Sequence, residues 1–235
     1  MTRVVETLPL FPLGTVLLPG APLPLHIFEP RYRQMTIDLV TGAVPGKQFG
    51  VVAVREGWSP DDGRDGLHAV GCTASLREVR RLPDGRFDIL TQGDRRFRLL
   101  DVDDSTAPYL VANVEWLPDD EGDDAADPEP LMLAARAAHR RYCQAAWSQR
   151  GGDAEDEATD PAKTGAESDA ALLPHVLAAD CLLPLDDRQE LLEQTCPVRR
   201  LELVREYMVR EAGLLSELHA VWAPAAKFLV AHSDN

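Results

Sequence analysis

The chain has 235 residues, of which 45% are hydrophobic and 27% charged, a balance that sustains a folded core without disulfides or metal and excludes wholesale disorder. Its net charge of −15 is concentrated: residues 119–129 carry seven acidic groups and no basic one, and residues 153–169 carry seven acidic groups and one lysine. The rest holds 25 acidic against 23 basic residues, so the folded body is nearly neutral. An acidic chain repels nucleic acid and anionic membrane at long range, which argues against both as partners.

Thr7 to Phe28 lacks ionised groups, but Pro9, Pro12, Pro19, Pro22 and Pro24 prevent a continuous helix, and Glu6 spoils a basic leader. The expectation is no transmembrane span and no export. This segment reads as short extended pieces lying irregularly against a sheet. Pro30 opens a helix that runs to Thr41, where Gly42 supplies the stop. Tyr32, Met35 and Leu39, with Thr36 beside them, form its inward face.

From residue 48 to 117 the hydrophobic period is two. Gln48–Val54 and Leu67–Val79 read as strands, the second with a bulge or bend at Gly71. Leu82-Pro83-Asp84-Gly85 closes a hairpin onto Arg86–Thr91. Further strands are expected around Arg96–Leu99 and over Tyr109–Trp116. Many strands with one early helix indicate a β-barrel or curled sheets, not alternating βαβ units.

The remainder reads as helical. One helix opens at Pro128 and Pro130 and reaches Gln149, with Leu131, Ala135, Ala138 and Tyr142 on its packing stripe. Residues 150–169 read as a mobile acidic loop, Leu172–Ala179 as a short helix, and Asp186 with Gln189 as a capping-box-like start. Pro197 begins a longer helix that ends near Leu218 and packs through Leu201, Val204, Met208 and Leu215.

Three stretches carry a family resemblance. Leu8–Leu13 with Leu23–Met35 resembles the opening of the N-terminal, substrate-recognition domain of Lon proteases. Gly71-Cys72-Thr73, Leu82-Pro83-Asp84-Gly85-Arg86 and Gly93-Asp94-Arg95-Arg96-Phe97 are similar to its central hairpins. Leu185–Leu203, with Arg199-Arg200-Leu201, is similar to its helical half. The resemblance spans about residues 8–215. It implies an α+β protein: a PUA-like β-barrel over 1–118 with one early helix, an acidic linker over 119–129, and a C-terminal helical bundle over 130–220, with 221–235 as a tail. It also implies engagement of unfolded or damaged polypeptide without cleavage.

The 235 residues contain no GxxxxGK[ST] phosphate loop, and none of the three lysines, Lys47, Lys163 and Lys227, lies in a segment resembling the Lon Ser/Lys peptidase site. The expectation is therefore a stand-alone, non-catalytic protein-interaction module, a peptidase homologue by ancestry. The alternatives are a small-molecule-binding or hydrolytic protein that re-uses the fold, or an RNA-binding protein of PUA-like type.

His26, Phe28, Glu29, Arg31 and Tyr32, with Arg33, are the densest group of functional side-chain types and the candidate binding site, either as a groove wall or as a strand-to-helix junction. Arg77, Arg80, Arg81, Arg86, Arg95, Arg96 and Arg98 interleave with Glu78, Asp84, Asp88 and Asp94, which fits ion pairing on a solvated face better than an RNA surface. The histidines, His26, His68, His139, His175, His219 and His232, form no HExxH pair, and no serine sits in GxSxG. No metal and no cofactor is expected. Cys72, Cys143, Cys181 and Cys196 include no CxxC pair and read as reduced thiols in a cytoplasmic protein, with Cys143 and Cys181 as inert packing groups.

Overall fold

A computed structural model describes residues 5–57, 60–120, 128–148 and 169–218. The loop expected over 150–169 apart from its last residue, most of the acidic linker, the tail from 221, and His219, His232, Lys163 and Lys227 lie outside the described residues. The chain divides into two compact units, with the boundary between Pro118 and Asp119.

The first unit contains β1 (Val5–Leu13), β2 (Pro22–Ile27), α1 (Pro30–Thr41), β3 (Gln48–Ala53), β4 (Val70–Arg81), β5 (Phe87–Asp103) and β6 (Val111–Trp116). The strands lie in the order β2-β5-β4-β3-β1-β6, and β6 pairs again with β5. Five strands thus close into a ring, with β2 attached outside it along the first half of β5. Closure protects most of the edge that an open sheet would expose, and β2 keeps an outer edge.

The opening segment is more regular than its prolines suggest. β1 pairs antiparallel with β6 through residues 5–9 and parallel with β3 through residues 10–13. Each half therefore meets one neighbour at a time, so the missing N–H groups of Pro9 and Pro12 face positions where no ladder bond is required. β2 has only β5 beside it; its prolines, Pro22 and Pro24, stand at alternate positions and so share the outer edge, where no donor is needed.

The two strands expected over 86–91 and 96–99 are one bent strand, β5. Between the pairs Cys72↔Arg96 and Ala74↔Gly93 it carries one residue more than β4, and between Leu99↔Val114 and Asp101↔Asn113 it carries one more than β6. Each bulge bends the strand and turns its side chains to the other face. Phe87, Ile89 and Thr91 are buried before the first bulge, and Phe97 and Leu99 after it. Buried Thr73 satisfies the backbone there: its hydroxyl accepts the Arg95 N–H at 3.0 Å and donates to the Arg95 carbonyl at 3.3 Å.

Gly71, expected at the bulge, has another task. A Cβ there would lie 2.5 Å from Phe97 Cζ, and one at Gly50 would lie 2.9 Å from the same atom. Both glycines make room for the Phe97 ring, which packs with Leu8, Leu10, Val52, Leu67, Leu99, Ala112 and Val114. Gly93 makes room for backbone: it donates to the Ala21 carbonyl at 2.8 Å and accepts the Gly20 N–H at 2.9 Å, while a Cβ would collide with the Leu18 carbonyl oxygen.

α1 forms as expected, with Pro30 in its first turn and Gly42 closing it at φ 83°. Tyr32, Met35, Thr36 and Leu39 are buried, and the Thr36 hydroxyl donates to the Tyr32 carbonyl at 2.8 Å.

The second unit contains α2 (Glu129–Ser148), α3 (Leu173–Ala179), α4 (Leu185–Glu193) and α5 (Pro197–Leu218). α2 and α5 form its main packing pair. Met132, Ala135, Ala138, Tyr142 and Ala146 are buried on α2, and Leu201, Val204, Tyr207 and Met208 on α5. Met132 takes the core position expected of Leu131, which is half-buried. The capping box does not form: the N-cap is Pro184, two residues before Asp186, no side chain caps the helix, and Gln189 donates along it to Glu193 at 2.7 Å.

The largest fully buried side chain among the described residues is Arg200, 1% exposed. It pairs with Asp119 and donates to the carbonyls of Ala171 (2.8 Å) and Gln194 (2.8 and 3.0 Å). One guanidinium thus ties three separated chain segments to α5, and its donors have few alternatives once buried.

Two substitutions test these constraints by denaturant unfolding. Gly93→Ala is expected to lower stability by about 2–4 kcal/mol, because the obstructing atom is backbone. Arg200→Ala is expected to cost about 3–5 kcal/mol, through the uncompensated Asp119 and the two orphaned carbonyls.

Candidate functional site

The candidate residues occupy the passage from β2 into α1, and the backbone sorts them by depth. Ile27 ends β2 pointing into the core, which sends His26 and Phe28 outward. Phe28 is 39% exposed, and its ring is inclined at 28° to the His26 ring, with centroids 6.4 Å apart. Glu29 occupies the N-cap position with extended backbone and makes no side-chain cap. Its carboxylate accepts Nε and Nη2 of Arg31 at 2.9 and 2.8 Å.

Tyr32 turns inward and is 4% exposed. Its ring stacks on Phe11 at 4.0 Å between centroids, and the Arg31 guanidinium lies 4.6 Å from its centre. Burial pushes the Tyr32 hydroxyl up to about 12, with Arg31 opposing and Glu29 adding. Within the candidate set Tyr32 is therefore part of the floor, whereas His26 and Phe28 are part of the surface.

Strand register adds residues that reading along the chain does not group with His26. His26 stands opposite Asp88 on β5, and Asp88 stands opposite Arg80 on β4. Asp88 Oδ1 lies 2.7 Å from His26 Nδ1, and Oδ2 accepts Arg80. Arg86 Nη1 approaches His26 Nε2 at 3.2 Å, while Arg86 Nε donates to Asp84 at 2.6 Å. A guanidinium can only donate, so the arrangement suits the tautomer in which His26 donates from Nδ1 to Asp88. Hydrogen bonds from His26 and then Arg80 hold the Asp88 carboxyl below its ordinary range, and Arg86 does the same for Asp84.

The arginines expected on a solvated face divide. Arg77 donates to Gln92 at 2.8 Å, and Arg80 and Arg86 pair with aspartates. Arg95 lies 3.9 Å from the centre of the Trp116 ring. Arg96 departs from the expectation: beside the bulge it stands opposite buried Cys72, on the face away from Phe97, and is itself buried. Among the described residues no group of three or more His, Cys, Asp or Glu side chains is arranged to hold a metal ion, and no helix is long and apolar enough to cross a membrane.

This architecture, a five-strand ring with an early helix followed by a separate helical unit, coincides with a family match over residues 7–210 to the model described as the ATP-dependent protease La (LON) substrate-binding domain. The chain belongs to that family. It is 28% identical over 212 residues to a Lon protease of Anaeromyxobacter dehalogenans and 27% identical over 214 residues to Lon protease 2 of Myxococcus xanthus. Those alignments cover 88% and 89% of this chain but 24% of each relative, so the chain spans about a quarter of their length. In structure it is similar to a Lon N-terminal domain protein from Xanthomonas campestris, with a TM-score of 0.61, 27% identity and coverage of 86% of this chain and 99% of the other. The N-terminal domain of a Lon protease from the Mycobacterium avium complex shares the fold at a TM-score of 0.58 and 18% identity, covering 86% of this chain and 98% of that one.

The Asp88 cluster makes stability depend on pH in a stated direction. A carboxyl whose folded-state pKa is depressed contributes stability above its ordinary value near 4 and loses that contribution as pH falls below it. The denaturation midpoint of the wild type should therefore fall more steeply below about pH 4 than that of Asp88→Asn, with the difference shrinking in high salt.

Proposed function

We propose that the chain is a non-catalytic recognition module that holds extended or unfolded polypeptide, or a partner protein, at the β2–α1 junction. The observation that carries this reading is the exposed Phe28 ring beside His26, fixed between two core residues, Ile27 and Tyr32. An aromatic held on a rigid base offers apolar contact area at little entropic cost, as interface anchors do. Charged groups lie near it: the Glu29–Arg31 pair follows it in the chain, and Asp88 and Arg86 contact its ring neighbour His26. Such a rim suits a polypeptide, which presents backbone carbonyls and N–H groups next to side chains of every kind.

The substrate-binding description of the family supports the same role, as do the Lon proteases among the relatives. The module works in a reducing, cytoplasmic setting.

Phe28→Asp is expected to weaken binding of a fluorescently labelled, chemically unfolded casein by about 1–2 kcal/mol, roughly 5- to 30-fold in Kd by anisotropy. Leu133→Asp, an exposed apolar position on α2, serves as the control and should bind like the wild type. Unchanged affinity in a Phe28→Asp protein with a native circular-dichroism spectrum would remove the junction from the binding surface.

A further inference from the structure

The second unit gathers polar chemistry that its helix-packing role does not require. His139, 5% exposed, and Cys143 lie one turn apart on α2. The Cys143 sulfur stands 3.9 Å from His139 Nδ1 and 3.7 Å from Nε2. The same Nε2 lies 3.7 Å from Oδ2 of Asp180, the residue that follows α3. Cys143 and Asp180 are thus held within twice that distance of each other, and Cys181 comes next in the chain.

The neighbouring contact fixes this approach, since the Tyr142 hydroxyl accepts the Leu182 N–H at 3.0 Å. Cys181 is 1% exposed, and its thiol donates to the Leu177 carbonyl at 3.5 Å. It sits in the bend between α3 and α4, where the backbone adjusts more readily than inside a helix. Burial pushes the Cys181 thiol well up, and Cys143, Asp180 and Glu211 push the same way while Arg188 opposes. All four cysteines of the chain are present as thiols.

We propose that Cys143 and Cys181 form an intramolecular disulfide when the protein meets hydrogen peroxide, with Cys143 as the attacking thiol and Cys181 as the resolving one. Cys143 is half-buried and reachable, and the His139 ring beside it takes its proton. The sulfur attacks one peroxide oxygen, the O–O bond breaks, and the departing hydroxide recovers the proton from His139 as water, leaving a sulfenic acid on Cys143. The Cys181 sulfur then attacks the Cys143 sulfur, the S–O bond breaks, and the proton of Cys181 leaves with the second water. Two thiols and one hydrogen peroxide give one disulfide and two waters. The bond joins α2 to the α3–α4 bend and closes a long loop, which restricts the unfolded chain and raises the thermal stability of the helical unit.

The test treats the full chain with stoichiometric hydrogen peroxide, alkylates it under denaturing conditions, and maps the peptides by mass. The expected product is a monomer that has lost two hydrogens, with Cys72 and Cys196 alkylated and one cross-linked peptide joining 143 to 181. Its melting temperature should exceed that of the reduced chain. Cys143→Ser and Cys181→Ser should abolish the link, Cys196→Ser should retain it, and His139→Asn should slow its formation. Oxidation of Cys143 to sulfinic acid with Cys181 still alkylated, a link between two molecules, or four alkylated thiols after treatment would each overturn the proposal. These readouts come from the wild-type chain, so they stand even if a variant fails to fold.

Discussion

The bulge where β5 passes Thr73 is the constraint on which the first unit depends. A straight seventeen-residue strand would pair with the same neighbours along its whole length and leave the sheet open. Because the bulge bends β5, its first half lies between β2 and β4 and its second half reaches β6. Ring closure follows from that bend, as it does in other small barrels whose corners are turned by bulges. The same extra residue exchanges the faces of the strand, so Ile89 before it and Phe97 after it both reach apolar surroundings. Thr73 answers the backbone groups the irregularity would otherwise strand, and Gly71 and Gly50 leave the space Phe97 then fills. Irregularity, polar satisfaction and packing are one device here.

The candidate site is a consequence of this geometry. Among the described residues β2 pairs only with β5, and the register between them sets His26 opposite Asp88 on one face. The register that places Arg80 opposite Asp88 belongs to the long β4–β5 hairpin, whose turn is closed by Gly85 at φ 82° and by the Leu82 N–H donating to the Arg86 carbonyl. Phe28 is held between Ile27 and Tyr32, both in the core. Rigid elements therefore present the surface groups, which is the condition for binding side chains to act with little reorganisation.

Local features were readable wherever one segment carries its own cause. Pro30 and Gly42 bracket α1, the Pro83-Asp84-Gly85 turn closes its hairpin, and the helical stripe of α5 faces inward as its spacing requires. Features that depend on pairing between distant segments were not. The prolines of β1 argue for irregular chain until it is known that β6 and β3 use different halves of the strand. Gly71 resembles a bulge glycine until Phe97, twenty-six positions away, is placed against it. Arg96 belongs to a polar run in sequence, and only its place opposite Cys72 beside the bulge shows that it is buried. The capping-box-like start at Asp186 gives way to Pro184, which takes the N-cap position and lets α4 begin at Leu185.

The site itself shows the same division. The grouping of His26, Phe28, Glu29, Arg31 and Tyr32 is legible because these residues are contiguous, yet contiguity across a strand-to-helix junction does not mean a common surface. Side chains alternate along β2 and then follow a helical period, so the change of period at Pro30 decides which neighbours face out. Phe28 emerges because it lies next to Ile27 at the end of a strand, and Tyr32 is buried because it falls on the inward face of α1 with Met35, Thr36 and Leu39. A fingerprint dense in functional side-chain types can therefore hold a floor residue, Tyr32, beside surface residues, His26 and Phe28, for separate physical reasons. The polar partners of His26 come from the β4–β5 hairpin, where the sequence signal is a run of alternating charges that points to ion pairing but not to His26.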